Sequence, residues 1–223
     1  SYRISGTKIF ITFGDHDMAD NIVHLVLARL DDAPEGTRGI SCFLVPKFLP
    51  DGTRNDMEAV ALEHKLGIHG SPTCVMNYGE STGAIGWLVG QENQGLRCMF
   101  TMMNKERIYV GVQGLAIAER AYQEAVAYAH DRRQGRAVGV PSDGQRSQLV
   151  DHADVRLTLL QMKARIEAMR ALTYTTAAQE DIAHHHPDEQ IRVRASERVA
   201  LLTPVIKAWN SELGCDITSD AIQ

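Results

Sequence analysis

The sequence predicts an α+β fold: an antiparallel β domain, barrel or sandwich, followed by an up-down bundle of long helices. A change of hydrophobic period carries this prediction. Up to about residue 97 the apolar residues come in short clusters separated by Gly, Pro, Asp and Asn. From about residue 98 they recur every three or four positions, which is helical spacing. The chain therefore divides into residues 1–97, a β domain, and residues 98–223, a helical domain.

The clusters YRI, KIFIT, NIVHLVLARL, GISCFLVP, TCVMNYG and GWLVG supply the strands in order. SGT at residues 5–7 suits a tight hairpin turn, because Gly6 adopts positive φ without a Cβ penalty. In NIVHLVLARL, alternation puts Val23, Leu25 and Leu27 on one face and His24 and Val26 on the other. Ile108, Val112, Leu115, Ala118, Tyr122, Val126 and Ala129 line one face of a first long helix. Val155, Leu159, Met162, Ile166 and Met169 line a second, and Ala195, Val199, Leu202, Ile206, Trp209 and Leu213 a third. Such stripes pack helices into a bundle. Pro204 interrupts the third stripe, so we expect a bend or break just before it. RRQGRAVGVPSDGQ, residues 132–145, reads as the loop between the first two helices.

The 223 residues suffice for a sizeable core. A net charge of −5 provides no basic field for nucleic acid or an anionic membrane, and no apolar run approaches a bilayer span. The N-terminus lacks a signal-peptide pattern, and Cys42, Cys74, Cys98 and Cys215 are too scattered for a zinc site or a disulfide framework. We expect buried, reduced thiols in a cytoplasmic protein.

Chemistry rests on particular stretches. KIFIT is similar to a strand motif that usually reads K-x-W-I-T. KLGIHGSPTCVMNYG (65–79), the long run from Gly90 to Gln134, and the closing SDAIQ (219–223) follow in the same order as their counterparts. Together these stretches resemble the acyl-CoA dehydrogenases over nearly the whole chain. DHDMADN and DHADVRLTLLQMKARIEAMRAL further resemble a bacterial subgroup that includes the methylthiopropanoyl-CoA dehydrogenases. The resemblance implies that the family's N-terminal helical domain and its last helices are absent here. The chain then reads as a fragment without turnover of its own.

What the resemblance implies chemically is FAD-dependent α,β-dehydrogenation of an acyl-CoA thioester, as in fatty-acid β-oxidation. A carboxylate takes the α-proton, hydride goes to the flavin, and an electron-transferring flavoprotein accepts the electrons. Phe10, Ile11 and Thr12 match the flavin-lining strand, with Phe10 where Trp is usual. Arg132 and Gln134 match residues that reach the FAD of a neighbouring subunit, so a homodimer or homotetramer is implied, and Gln223 matches the Gln of the last motif. Gly135 stands where the family commonly has Phe, and Ala153 where relatives often carry a flavin-contacting Gln. Asn104 and Arg107 match a substrate-binding pair beside the pantetheine arm. Glu106 matches the position from which a minority of the family supplies the base, the majority using a Glu beyond the residues present here.

Each residue also has a plainer reading. KIFIT is expected to be a buried strand, Arg132 could be a solvated helix-end cation, and Asn104 could cap a helix with Glu106 and Arg107 in its first turn. Asp15, His16, Asp17 and Asp20 lack calcium-loop spacing and a second His, so DHDMADN reads as a water-facing turn. HHHP (184–187) reads as a solvated loop, since consecutive side chains do not share a helix face. No metal site is expected. The competing functional readings are a flavoprotein relative with a binding or damage-response role, and a helical oligomerisation scaffold.

Overall fold

The computed structural model describes residues 1–141 and 144–223; Ser142 and Asp143, in the expected interhelical loop, lie outside the described residues. The chain divides into two units, Ser1–Met102 and Met103–Gln223.

The first unit contains β1 (Tyr2–Ile4), β2 (Gly6–Thr12), β3 (Val23–Arg29), β4 (Ile40–Pro46), β5 (Met57–Leu62), β6 (Thr73–Tyr78) and β7 (Ala84–Val89). They form two antiparallel sheets, ordered β1-β7-β4-β3 and β2-β6-β5, rather than one closed barrel. The hairpin expected at SGT does not form, because β1 pairs with β7 while β2 pairs with β6. Gly6, at φ 138°, instead lets the chain step from one sheet to the other. β5, MEAVAL, was not anticipated. Its alanines and Glu58 carry little strand preference, and as an edge strand it is mostly exposed.

Val26, Phe43, Val45, Met57, Cys74, Met76 and Tyr78 form the core of this unit. The core face of β3 is the one bearing His24 and Val26, while Val23 and Leu25 point outward. Asn55 is buried among the strand ends. Its amide donates to the carbonyls of Pro46 and Ile85 at 2.8 and 2.9 Å, and its Oδ1 accepts from the Ile85 N–H. Asp56 accepts N–H bonds from Ser81, Thr82 and Gly83, which close the β6–β7 turn and hold its carboxyl below the usual range, with Thr82 contributing most.

Helix α1 (Gly95–Asp131) begins a few residues earlier than the periodicity indicated. Asn93 turns at φ 65° and donates its N–H to Ser41 Oγ at 2.8 Å. Gly95 lies so close to β4 that a Cβ there would stand 2.3 Å from the Ser41 carbonyl carbon. Backbone contact, which apolar spacing does not register, therefore sets the start.

In the second unit, α2 (Ala153–His185) and α3 (Glu189–Ile222) pack with α1 around Leu115, Ala118, Met162, Ile166, Met169 and Ile217. The expected stripes hold apart from Val112, which is exposed while Gly111 is buried in its place. Gly111, Gly114 and Gly214 permit a close crossing of α1 and α3; a Cβ on Gly114 would lie 2.4 Å from the Asn210 carbonyl oxygen. Asn210, fully buried, donates from Nδ2 to Gly111 O at 3.1 Å and to Thr173 Oγ1 at 2.9 Å, linking all three helices. Of the bend or break expected before Pro204, a break does not occur, as α3 is continuous through it. Proline removes one N–H bond there, and Ala200, whose carbonyl loses that bond, is solvent-exposed.

His184 and His185 form the last turn of α2 instead of a loop, and only a short turn separates α2 from α3. Asp188 caps α3 by accepting from the N–H groups of Gln190 and Ile191. Of the thiols expected to be buried, Cys42 and Cys74 are; Cys98 is half-buried and Cys215 exposed, and all four are free. Among the described residues, no helix is long and apolar enough to cross a membrane.

Candidate functional site

β2 is an edge strand with an irregular register. Lys8 pairs with Met76 and Ile11 with Cys74, so Ile9 and Phe10 together stand opposite the single residue Val75. This is a β-bulge, and Phe10 occupies the left-handed region at φ 60°. The extra residue puts Ile11 against the core and leaves Phe10 66% and Ile9 56% exposed, with Thr12 exposed beside them. The expectation of a buried strand is therefore corrected. At a sheet edge with a bulge, the outer face of KIFIT is not covered by the strands of its own unit. Apolar surface and a hydroxyl are both presented outward.

The following turn is tightly held. Phe13, also left-handed at φ 53°, donates its N–H to Pro72 O at 2.8 Å, and Gly14 N–H donates to Ile11 O at 3.2 Å. His24, reaching from β3, contacts Gly14 O through Nε2 at 2.8 Å and the Tyr78 hydroxyl through Nδ1 at 2.6 Å. Burial lowers the proton affinity of His24 below its ordinary value, with the Gly14 bond and the Asp15 charge opposing, and pushes the Tyr78 hydroxyl up to about 12.

Asp15 departs from the water-facing tongue expected of DHDMADN. Its carboxylate, half-buried, pairs with Lys47 and lies 4.0 Å from Arg54. Burial pushes the Asp15 carboxyl up, but Lys47, the His16 N–H and Arg54 outweigh it and hold it below the usual range. Asp17 and Asp20 do face solvent. Among the described residues, no group of three or more His, Cys, Asp or Glu side chains is arranged to hold a metal ion.

In the second unit the expected site residues lie at separate places. Asn104 and Arg107 share a face of α1, with Arg107 Nη1 donating to Asn104 Oδ1 at 3.2 Å. Asn104 is not a cap: α1 has already run about two and a half turns from Gly95, at 3.6 residues per turn. Glu106 is exposed on the same helix. Arg132 is exposed just past the end of α1, where its N–H still bonds Tyr128 O at 2.9 Å. Gln134 is exposed, exchanging backbone bonds with its loop: its N–H bonds Ser147 O, and its carbonyl accepts from His152 Nε2 at 2.9 Å. Ala153 opens α2, and its side chain is exposed. Gln223 lines an apolar cleft of about 300 Å³ with Tyr128, Leu159, Met162 and Ile222.

The sequence reading missed the pairings of His24 and Asp15. The signal for His24 was available: alternation placed it beside Val26, and a histidine on a core face must find hydrogen-bond partners. Asp15 gave no local signal, since Lys47 is distant in sequence.

The profile of the acyl-CoA dehydrogenase C-terminal domain matches residues 93–223. The 3-methylmercaptopropionyl-CoA dehydrogenase of Ruegeria pomeroyi is 50% identical over the whole of this chain, which covers 38% of that protein. A butyryl-CoA dehydrogenase of Syntrophomonas wolfei is 40% identical, again over the whole chain and 38% of the relative. Among solved structures, Caenorhabditis elegans ACDH-11 in complex with C11-CoA superposes on 99% of this chain, with a TM-score of 0.80, 25% identity and 34% of its own length covered. The chain belongs to the acyl-CoA dehydrogenase family, whose members are FAD-dependent oxidoreductases acting on CH–CH bonds. It spans 38% of the length of each of these two curated relatives.

Proposed function

We propose that this chain supplies flavin- and thioester-binding parts of an FAD-dependent acyl-CoA dehydrogenase, and that the enzyme passes electrons to an electron-transferring flavoprotein. Family membership gives the reaction class. The observation that carries the site is the exposed bulge at Phe10. A planar tricyclic ring needs an accessible apolar wall and a nearby hydroxyl, and the β2 edge offers Phe10 and Thr12. Had these side chains been sealed in the core, the residues would not fit a flavin.

Bound FAD supplies hydride acceptance from the β-carbon. Phe10 would pack on the ring and exclude water from one side, while the Thr12 hydroxyl would offer it a hydrogen bond. Arg132 offers a guanidinium fork to phosphate oxygens, with Gln134 and Gln223 as amide partners, in a homodimer or homotetramer where subunits share the cofactor. Asn104 and Arg107 present an amide and a cation along one helix face to the pantetheine arm. Glu106 is the candidate base within this chain; its exposure means that bound substrate would have to supply the burial a strong base needs.

3-Methylmercaptopropionyl-CoA is the lead substrate on the strength of the 50% relative, with short linear acyl-CoA esters next. The free cysteines fit a reducing cytoplasmic setting. The test is a panel of acyl-CoA esters added to the intact, flavin-loaded protein. Bleaching of the flavin absorbance by these esters is expected. A protein that purifies without flavin and takes up none from solution would rule the reading out.

A further inference from the structure

We propose that His24 is a positioning residue for the flavin-facing edge: its Nε2–H holds the turn that presents Phe10 and Thr12, while the Tyr78 hydroxyl satisfies Nδ1 and fixes the ring's orientation. The inference rests on the reading that this edge contacts FAD.

Two non-glycine residues in left-handed conformations, Phe10 and Phe13, bracket Ile11 and Thr12. Such conformations persist only where surrounding structure over-determines them, and they concentrate at functional sites. Here the turn is pressed down as well as tied. Gly14 is buried so closely that a Cβ would stand 2.8 Å from Met76 Sδ. Its carbonyl is the acceptor that His24 reaches at 2.8 Å.

The tautomer follows from donor logic. A carbonyl oxygen only accepts, so Nε2 carries the hydrogen. In the neutral ring Nδ1 is then an acceptor, and the Tyr78 O–H donates to it at 2.6 Å. Tyr78 is anchored in β6, paired with Gly6 of β2 and Met57 of β5, and burial keeps its hydroxyl protonated. The charge that acts on the ring is Asp15, itself tied to Lys47 and Arg54. An apolar side chain at position 24 would serve the core equally well, as Val26 does two residues on. What the imidazole adds is a pair of directed hydrogen bonds, one of which ends on the turn.

The experiment uses the intact protein stripped of flavin, titrated with FAD by fluorescence quenching, in wild type, His24→Leu, His24→Gln, Tyr78→Phe and Val26→Ala. His24→Leu is expected to raise the FAD Kd about tenfold or more, and Tyr78→Phe by less. His24→Gln, whose amide N–H lies near the former Nε2–H, should recover part of the loss. Val26→Ala, a buried truncation on the same strand face, should lower the melting temperature yet leave the Kd within about twofold. Wild-type affinity in His24→Leu would overturn the proposal, as would equal weakening by Val26→Ala. A second readout needs no flavin: amide exchange at Phe13 and Gly14 should quicken about tenfold or more in His24→Leu, and unchanged exchange would overturn the clamp. Absence of FAD binding by wild type would instead count against the flavin reading, leaving the exchange measurement to decide on His24.

Discussion

Replacing Gly114 with alanine tests the helix crossing directly. In an open helix the change would stabilise, since alanine exceeds glycine in helix propensity by about 1 kcal/mol. Here the new Cβ would stand 2.4 Å from the Asn210 carbonyl oxygen and 2.7 Å from its carbon, both backbone atoms that no rotamer change can move. Restoring ordinary contact, about 3.4 Å, requires α1 and α3 to part by about 1 Å. That movement would stretch the 3.1 Å bond from Asn210 Nδ2 to Gly111 O towards 4 Å, outside hydrogen-bond range. Overpacking costs about 1–3 kcal/mol and a buried amide N–H left unpaired a further ~1–3. Against the propensity gain of about 1 kcal/mol, the net destabilisation is roughly 3 kcal/mol. For a chain of this size that corresponds to a fall of about 6–12 °C in Tm. Thermal and urea denaturation followed by helical circular dichroism would measure it. Gly214→Ala, with its nearest contact at 3.1 Å, should cost less. A Gly114→Ala variant as stable as wild type would refute the close crossing.

Stability should also report the buried imidazole. His24 has a folded proton affinity depressed from the ordinary 6.5, so the unfolded chain binds the proton first. Its contribution is complete above about pH 6.5 and falls as pH drops towards the depressed folded value, and His24→Leu should remove that part of the slope in urea titrations. Asp15 works lower on the scale. Its depressed carboxyl stabilises the fold above 3.8 and loses that contribution as pH falls through the folded value, so Asp15→Asn should cost about 1–2 kcal/mol at neutral pH and little at pH 2, read from the same titrations. As the candidate base within this chain, Glu106 is expected to matter for turnover: Glu106→Gln should lower kcat of the intact enzyme by about a hundredfold or more, and a loss of less than about tenfold would place the base elsewhere.

Much of the fold was legible in the sequence, because period follows from geometry. Alternating and three-to-four spacings are consequences of strand and helix pitch, and they located six of the strands and all three helices. Ordered motifs pointed to the family. β5 escaped because an exposed edge strand needs no apolar signature, and the start of α1 because it depends on Gly95 lying against Ser41 and Cys42. Of the candidate site, residue types were readable at Phe10, Thr12, Asn104 and Arg107, yet their settings were not.

Local chemistry, then, dictated the order of elements, the apolar stripes and the membership of a family. Tertiary structure decided that KIFIT lies bare at a bulged edge, that β1 and β2 join different sheets, and that His24 and Asp15 brace the turn after it. The reason is range. Helical and strand periods arise between near neighbours, whereas pairing, burial and hydrogen bonds between residues such as His24 and Tyr78 exist only once distant segments meet.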